Sequence, residues 1–303
     1  STVAELTRAR LSILRPQAYT AGDSGGNLSG RASVAWQAND RLMTYLTFSQ
    51  GFKSGGLNMS GLPLDAANRP ALGTAVIRDE RNTTLEAGLK ARSATGGMTL
   101  DLAAFRTVVG DYQANIVSSL ETAALRSYPS NIPEVRVQGA EADLAFKPRD
   151  DLTLRLSVAY ADGRNEAYPA GPCPLERQTT TTAACDLTGA RLAGLSRWAG
   201  SLGAAFRRPL GRGELRIDLE SSARSGYFND TSASRYTWID GHVTTDLSIG
   251  YRSAAGWGVE VFARNAFDAR YINALSIQTG NSGLILGQPA DPRVIGVTLR
   301  MGY

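Results

Sequence analysis

The feature that most constrains this chain is strict two-residue alternation, sustained over runs of eight to thirteen residues and repeated along the whole length. The last eleven residues, RVIGVTLRMGY, set Ile295, Val297, Leu299, Met301 and Tyr303 against Gly296, Thr298, Arg300 and Gly302. One list is apolar and the other small or polar, which is the signature of a strand with two unlike faces. In ELRIDLES (214–221), Leu215, Ile217 and Leu219 alternate with charged residues, and IDGHVTTDLSIGY (239–251) sets Val243, Leu247, Ile249 and Tyr251 opposite Asp240, His242, Thr244, Asp246 and Ser248. LTLRLSVAY (152–160), TTLEAGLKAR (83–92) and WGVEVFARNAF (257–267) behave the same way, while 28–37, 41–53, 98–113, 134–147 and 197–207 fit less cleanly. With the N-terminal ELTRARLSIL as one more candidate, eleven or twelve strands are predicted.

The connections carry a second pattern. Short links (AND at 38–40, SATGG at 93–97, PRDD at 148–151, RRPLGR at 207–212, SAAG at 253–256) hold turn residues. Long ones at 54–79, 117–132, 165–191, 227–237 and 273–292 alternate with them, which predicts an antiparallel up-and-down meander with tight turns at one end and long loops at the other. Two architectures use such strands. A soluble sandwich buries its apolar faces against each other. A transmembrane barrel turns them to lipid, places its polar faces inward and sends long loops to the extracellular side. Soluble strands average only ~5–6 residues, whereas about ten alternating residues cross a bilayer at a ~45° tilt. An Arg or Lys on the lipid face costs ~2–4 kcal/mol at the midplane, and the cleanest strands have none there. The barrel is the better reading.

Composition agrees where it speaks. At 43% hydrophobic and 20% charged the chain is not of disordered type, and 32 glycines favour turns and small strand positions over long helices. Its basic residues are scattered and the net charge is only +4, so no nucleic-acid partner is expected. No apolar run approaches the ~20 residues of a membrane helix. The two cysteines, Cys173 and Cys185, stand in GPCPLERQTTTTAAC without a second pair or nearby histidines. That disfavours a zinc site and favours a surface-loop disulfide in an oxidising compartment, two free thiols being the alternative.

Several stretches together resemble the C-terminal barrel of TonB-dependent outer-membrane receptors. TYLTFSQGFKSGGLN (44–58) resembles an aromatic-rich strand running into a long loop, LEAGLKAR (85–92) the recurrent Glu-x-Gly-x-Lys strand, and VQGAEADL (137–144) the Gly-x-Glu strand. NAFDARYI (265–272) followed by PRVIGVTLRMGY (292–303) looks like the closing hairpin, with Ala266 where Leu is commoner and a final Tyr where Phe is commoner. The resemblance implies an all-β chain, residues 1–303, forming about 11–12 strands of a 22-stranded barrel. The plug domain and the partner-binding segment of such receptors are not seen, so the chain is expected to be a C-terminal fragment of a longer receptor, located in the outer membrane of a Gram-negative bacterium.

Function follows from the same resemblance: energy-coupled uptake of a scarce, bulky nutrient, a ferric siderophore first of all, with no catalysis, no cofactor and no resident metal. The implied partners are the TonB energy-transducing complex acting through the missing N-terminal part, the outer-membrane barrel assembly machinery, lipid bilayer and lipopolysaccharide, and the small-molecule ligand. Tyr303 takes the role of the terminal aromatic read by the insertion machinery, or of an interfacial anchor. Candidate ligand contacts are loop residues: Phe52, Lys53 and Asn58 at one long connection, and Tyr227, Phe228, Tyr236 and Trp238 around another. Aromatics with a cation suit a planar, anionic chelate, and the competing reading places them in the interfacial aromatic girdle.

Two rivals stand beside this reading, a self-contained twelve-stranded pore or outer-membrane barrel enzyme and a large secreted carbohydrate-binding sandwich. For an enzyme, His242 would be the base, but no Gly-x-Ser-x-Gly nucleophile is present and a lumen-facing polar residue is the simpler assignment. The carboxylate pairs Asp218/Glu220 and Glu141/Asp143 are likewise read as lumen charges paired with arginines.

Overall fold

The computed structural model describes residues 17–59, 62–63, 69–117, 127–177, 184–277 and 284–302. Eleven long strands form one antiparallel sheet: β1 (Gly30–Asn39), β2 (Leu42–Lys53), β5 (Glu80–Arg92), β6 (Met98–Val117), β7 (Ser127–Arg149), β8 (Leu152–Ala167), β9 (Trp198–Leu210), β10 (Gly213–Arg224), β13 (His242–Ser253), β14 (Trp257–Arg264) and β17 (Val294–Met301). Each pairs with its successor in that order, so the predicted meander is present strand for strand. The N-terminal candidate ELTRARLSIL and the terminal Tyr303 lie outside the described residues. Three two-stranded hairpins sit within the long connections: β3 (Gly56–Leu57) with β4 (Val76–Ile77), β11 (Tyr227–Phe228) with β12 (Trp238–Ile239), and β15 (Ile272–Ile277) with β16 (Ile285–Pro289). Among the described residues no helix is long and apolar enough to cross a membrane. Here the crossing elements are strands.

Register turns the alternation into two faces. The rows Val34–Leu46–Ala87–Ala104–Ala140 and Leu156–Leu202–Ser221–Thr245 run across the outer face, as does Ile217–Ile249–Val261–Val297. Large apolar side chains there are open: Val34 is 73% exposed, Ile249 57% and Leu299 71%. A water-soluble sheet would have to cover such a surface, whereas lipid covers it without further protein. On β13 the outward run from Val243 to Tyr251 covers roughly 27 Å of strand, or about 19 Å of depth at a ~45° tilt, most of the ~25 Å apolar band of outer-membrane barrels. Two aromatic pairs mark its borders. Tyr160 and Trp198 meet at 4.8 Å near the loop end, and Tyr251 and Trp257 at 5.6 Å near the turn end.

The inner face is polar and internally bonded. Lys90 Nζ donates to Asp101 at 2.7 Å, Arg207 to Asp218 at 2.5 Å, and Tyr45 Oη to Glu86 at 2.8 Å. Glycine has a specific use on this face. Tyr45 lies across Gly88 and Phe262 across Gly296, where an added Cβ would come within 2.3 Å and 2.5 Å of the rings. At these positions glycine makes room for inward aromatics rather than for a turn.

The strands β6 and β7 run further than the alternation predicts, to Val117 and back from Ser127. Their pairing skips at Asp111, which adopts φ 54°, and resumes with Tyr112 opposite Ile132. The irregularity shifts the side-chain phase, which hides the extension from a periodicity reading.

Candidate functional site

All the long connections gather at the end of the sheet opposite the tight turns. The largest, residues 168–197, is folded back by the Cys173–Cys185 disulfide, whose Cα atoms are 4.9 Å apart, and by paired backbone bonds between Gly171 and Cys185. Closing the segment between the two cysteines, whose sequence separation is 12, stabilises by about 3 kcal/mol. Val109 and Val135, on the inward parity of β6 and β7, join Ile132, Tyr168, Leu187 and the disulfide in one buried cluster. The disulfide loop thus lies over the inner side of the barrel mouth. Burial there pushes the Tyr168 hydroxyl pKa well up.

The second connection, 225–241, is a compact hairpin. Phe228 pairs with Trp238 across β11 and β12, their rings edge-on at 4.9 Å. A 3-10 turn at Arg235–Thr237 is capped by Ser234, whose hydroxyl accepts from Tyr236 N–H. The same hydroxyl donates to Glu176 at 2.6 Å, and Arg235 N–H donates to the other Glu176 oxygen at 3.0 Å. Partial burial raises the Glu176 carboxyl, but these hydrogen bonds to its charged form outweigh it and hold the pKa below the ordinary range. Gly194 N–H donates to Phe228 C=O at 2.7 Å, and the Arg191 guanidinium sits 5.4 Å from the Trp238 ring. Tyr227 Oη donates to Asn273 C=O at 3.4 Å, and Asn229 to Leu275 C=O. Three loops that are remote in sequence are therefore locked together, with cations on aromatic faces at the joints.

The connection 54–79 is held separately. Asp79 accepts from Gly55 N–H at 2.6 Å and from the Asn27 amide, which holds its carboxyl below the ordinary range. Arg78 pairs with Asp111 at 2.6 Å, and the Gln113 amide bridges Ser54 and Arg78 carbonyls at 3.0 Å each.

The residues singled out in the sequence fall into three groups. Asn58 and Tyr227 are buried, Asn58 accepting from Tyr19 Oη and Tyr227 carrying Arg224 over its ring at 4.4 Å, so both hold loops in place. Phe228 is half-buried under Trp238. Tyr236, Trp238 and Lys53 are exposed at the loop end, Lys53 on the inward parity, while Phe52 takes the outward parity. Arg235 covers the Tyr236 ring at 4.9 Å and donates to its hydroxyl, making an open cation–aromatic pair. Sequence reasoning missed Arg191, Arg235 and Glu176, because nothing in their local pattern reveals a partner dozens of residues away.

His242 stacks on Tyr271 at 3.6 Å and 13°, a packing role at the strand start. Of the carboxylate pairs, Asp218 is bound by Arg207 and Asp143 accepts from Ser157. Among the described residues no three acidic, His or Cys groups converge as a metal site would require.

The match to known proteins is consistent with this geometry. Residues 8–266 match the family model described as TonB dependent receptor-like, beta-barrel. The ferric yersiniabactin uptake receptor FyuA from Yersinia pestis superposes over 91% of this chain with a TM-score of 0.68 at 18% identity. The siderophore receptor PiuA from Acinetobacter baumannii covers 91% at 0.65 and 15%, and the copper transporter OprC 91% at 0.65 and 14%. The chain spans 36–39% of the length of those three structures. At such identities the structural likeness establishes the fold, and the family match extends over most of the sequence. The chain belongs to the TonB-dependent receptor β-barrel family of the outer membrane.

Proposed function

We propose that this chain is the C-terminal part of an outer-membrane receptor that takes up a bulky chelate, a ferric siderophore first of all, by energy-coupled transport. The observation that carries the reading is the interlocked loop end: three connections fixed to one another, with the open Arg235–Tyr236 pair and Trp238 backed by Arg191 presented at the mouth of a polar-lined sheet. A cation on an aromatic face is suited to a planar anionic chelate. The neighbours support the substrate class, since two are named as receptors for siderophores.

The remaining elements of the reading are the wider barrel and its partners. An open eleven-stranded sheet would leave the outer edges of β1 and β17 unpaired in lipid, each unsatisfied backbone group costing several kcal/mol. Further strands of a 22-stranded barrel, with a plug ahead of them, would close it. Energy from the TonB complex then acts through that preceding part, the assembly machinery inserts the barrel, and lipopolysaccharide surrounds it. No residue of this chain is assigned a catalytic role.

The test uses the full-length receptor in an iron-starved host, with ferric siderophores supplied one at a time. Growth rescue by at least one, together with a Kd raised about tenfold by Arg235→Ala with Tyr236→Ala, is the expected result. Transcription indifferent to iron and no rescue by any ferric siderophore would remove the siderophore reading.

A further inference from the structure

On the loop side of the sheet's outer face, Arg106 is a basic side chain with no protein partner among the described residues; Arg208, on the outward parity of β9, is exposed in the same way but lies at the turn end. Arg106 projects outward from β6 between Leu85 on β5 and Gln138 on β7. It is exposed, and among the described residues it makes no hydrogen bond or ion pair. Its height is fixed by the register. The row below is Ala104–Ala140–Tyr160–Trp198, the aromatic border of the apolar band, and the row above leads through Val108 to Arg136 and Arg164. Arg106 therefore stands at headgroup level on the loop side, where the outer leaflet presents its phosphates.

Its surroundings leave a positive excess. Arg136 is bound by Glu166 and Gln138 at 2.6 Å each, and Asp162 takes both Arg164 at 2.9 Å and Arg197 at 3.1 Å. Four arginines thus face two carboxylates. Directly beneath Arg106 lies a shallow apolar groove of about 590 Å³ on the lipid side, floored by Ala104, Ala140 and Ala142 and walled by Leu102, Tyr160 and Trp198. A second, of about 440 Å³, continues on the other side of Trp198 over Gly200 and Ala223. Each exceeds the ~150 Å³ that accommodates a benzene. Packing of tails in the grooves does not by itself select a lipid, because bilayer tails are as apolar as the walls. The unpaired charge above them does.

We propose that Arg106 and the paired grooves form a binding site for a phosphorylated, multiply acylated lipid of the outer leaflet, with a phosphate on Arg106, supported by the Arg136/Arg164 row, and acyl chains on either side of Trp198. The proposal rests on the outer-membrane orientation assigned above and adds to it a specific lipid contact. A guanidinium offers two parallel N–H donors to a phosphate, which makes the headgroup contact directional as well as electrostatic.

The test places the full-length receptor in phosphatidylcholine nanodiscs containing bis-phosphorylated lipid A, its dephosphorylated form or phosphatidylglycerol, with bound lipid counted by native mass spectrometry. Retention of phosphorylated lipid A about tenfold above the dephosphorylated form is expected, and Arg106→Gln should erase that preference. Ala140→Leu, which fills the groove, should lower retention of both forms, whereas Arg155→Gln on the inner face should change neither. Equal retention by wild type and Arg106→Gln, or an equal hold on phosphatidylglycerol, would overturn the site while leaving a folded, heat-modifiable barrel. A receptor that never becomes heat-modifiable would overturn the barrel reading beneath it.

Discussion

The membrane band and the loop end of this molecule are built on different principles. In the band, a residue's fate depends on parity: Leu247 and Ser248 are neighbours in sequence, yet one faces outward among apolar side chains and the other inward beside Asp246 and Glu260. At the loop end parity means little, and individual pairs decide. Ser234 matters because Glu176, 58 residues away, accepts its hydrogen bond. The band tolerates many sequences that keep the alternation. The loop end depends on contacts that no neighbour in sequence announces.

The largest expected effect tests parity. Leu247→Arg should destabilise the folded barrel by ~2–4 kcal/mol, whereas Ser248→Arg, into the acidic inner face, should stay within about 0.5 kcal/mol. Urea titration of heat-modifiable gel mobility reads both, and equal losses would break the distinction. Next comes the loop end: Cys173→Ser with Cys185→Ser should cost about 3 kcal/mol of local stability there. Hydrogen exchange should then quicken in 168–197 and leave β10, β13 and β14 unchanged. Ser234→Ala, which removes a cap and one bond to Glu176, should cost ~1–2 kcal/mol and loosen 225–241 in the same assay.

Acid should act on this joint in the same direction. Because the Glu176 carboxyl titrates below its unfolded value, its contribution is present above the unfolded pKa and disappears as pH falls through the lower, folded one. Loop protection should decline in that acid range and be flat near neutrality, and Glu176→Gln should abolish the dependence. The smallest effect belongs to the inner face of the band. Lys90→Met removes the half-exposed pair with Asp101 and should cost under ~1 kcal/mol.

How much was legible in the sequence follows the same division. The long strands and their order could be read because lipid on one side and water on the other impose a period of two over ten residues or more. The strand 98–113 read less cleanly for a physical reason: Arg106 stands on its outward face, at the level where the band ends. The β6–β7 extension was hidden by the phase shift at Asp111, and β11 and β12, at two residues each, are too short to show any period. Aromatic and cationic residue types pointed to loops that the structure gathers at one end of the sheet. They could not show that Asn58 and Tyr227 are buried or that Arg191 and Arg235 complete the cluster, since those facts depend on Tyr19, Asn273 and other residues far away in the chain.

The central claim is that the apolar face of this sheet meets lipid. Single nitroxide labels at positions 243 to 251 of the full-length receptor in liposomes test it directly, with oxygen as the apolar probe and a nickel chelate as the aqueous one. Accessibility to oxygen should peak at 243, 247, 249 and 251 and accessibility to nickel at 244, 246, 248 and 250, with the two profiles out of phase. Nickel access at every position, or the two probes in phase, would contradict the account.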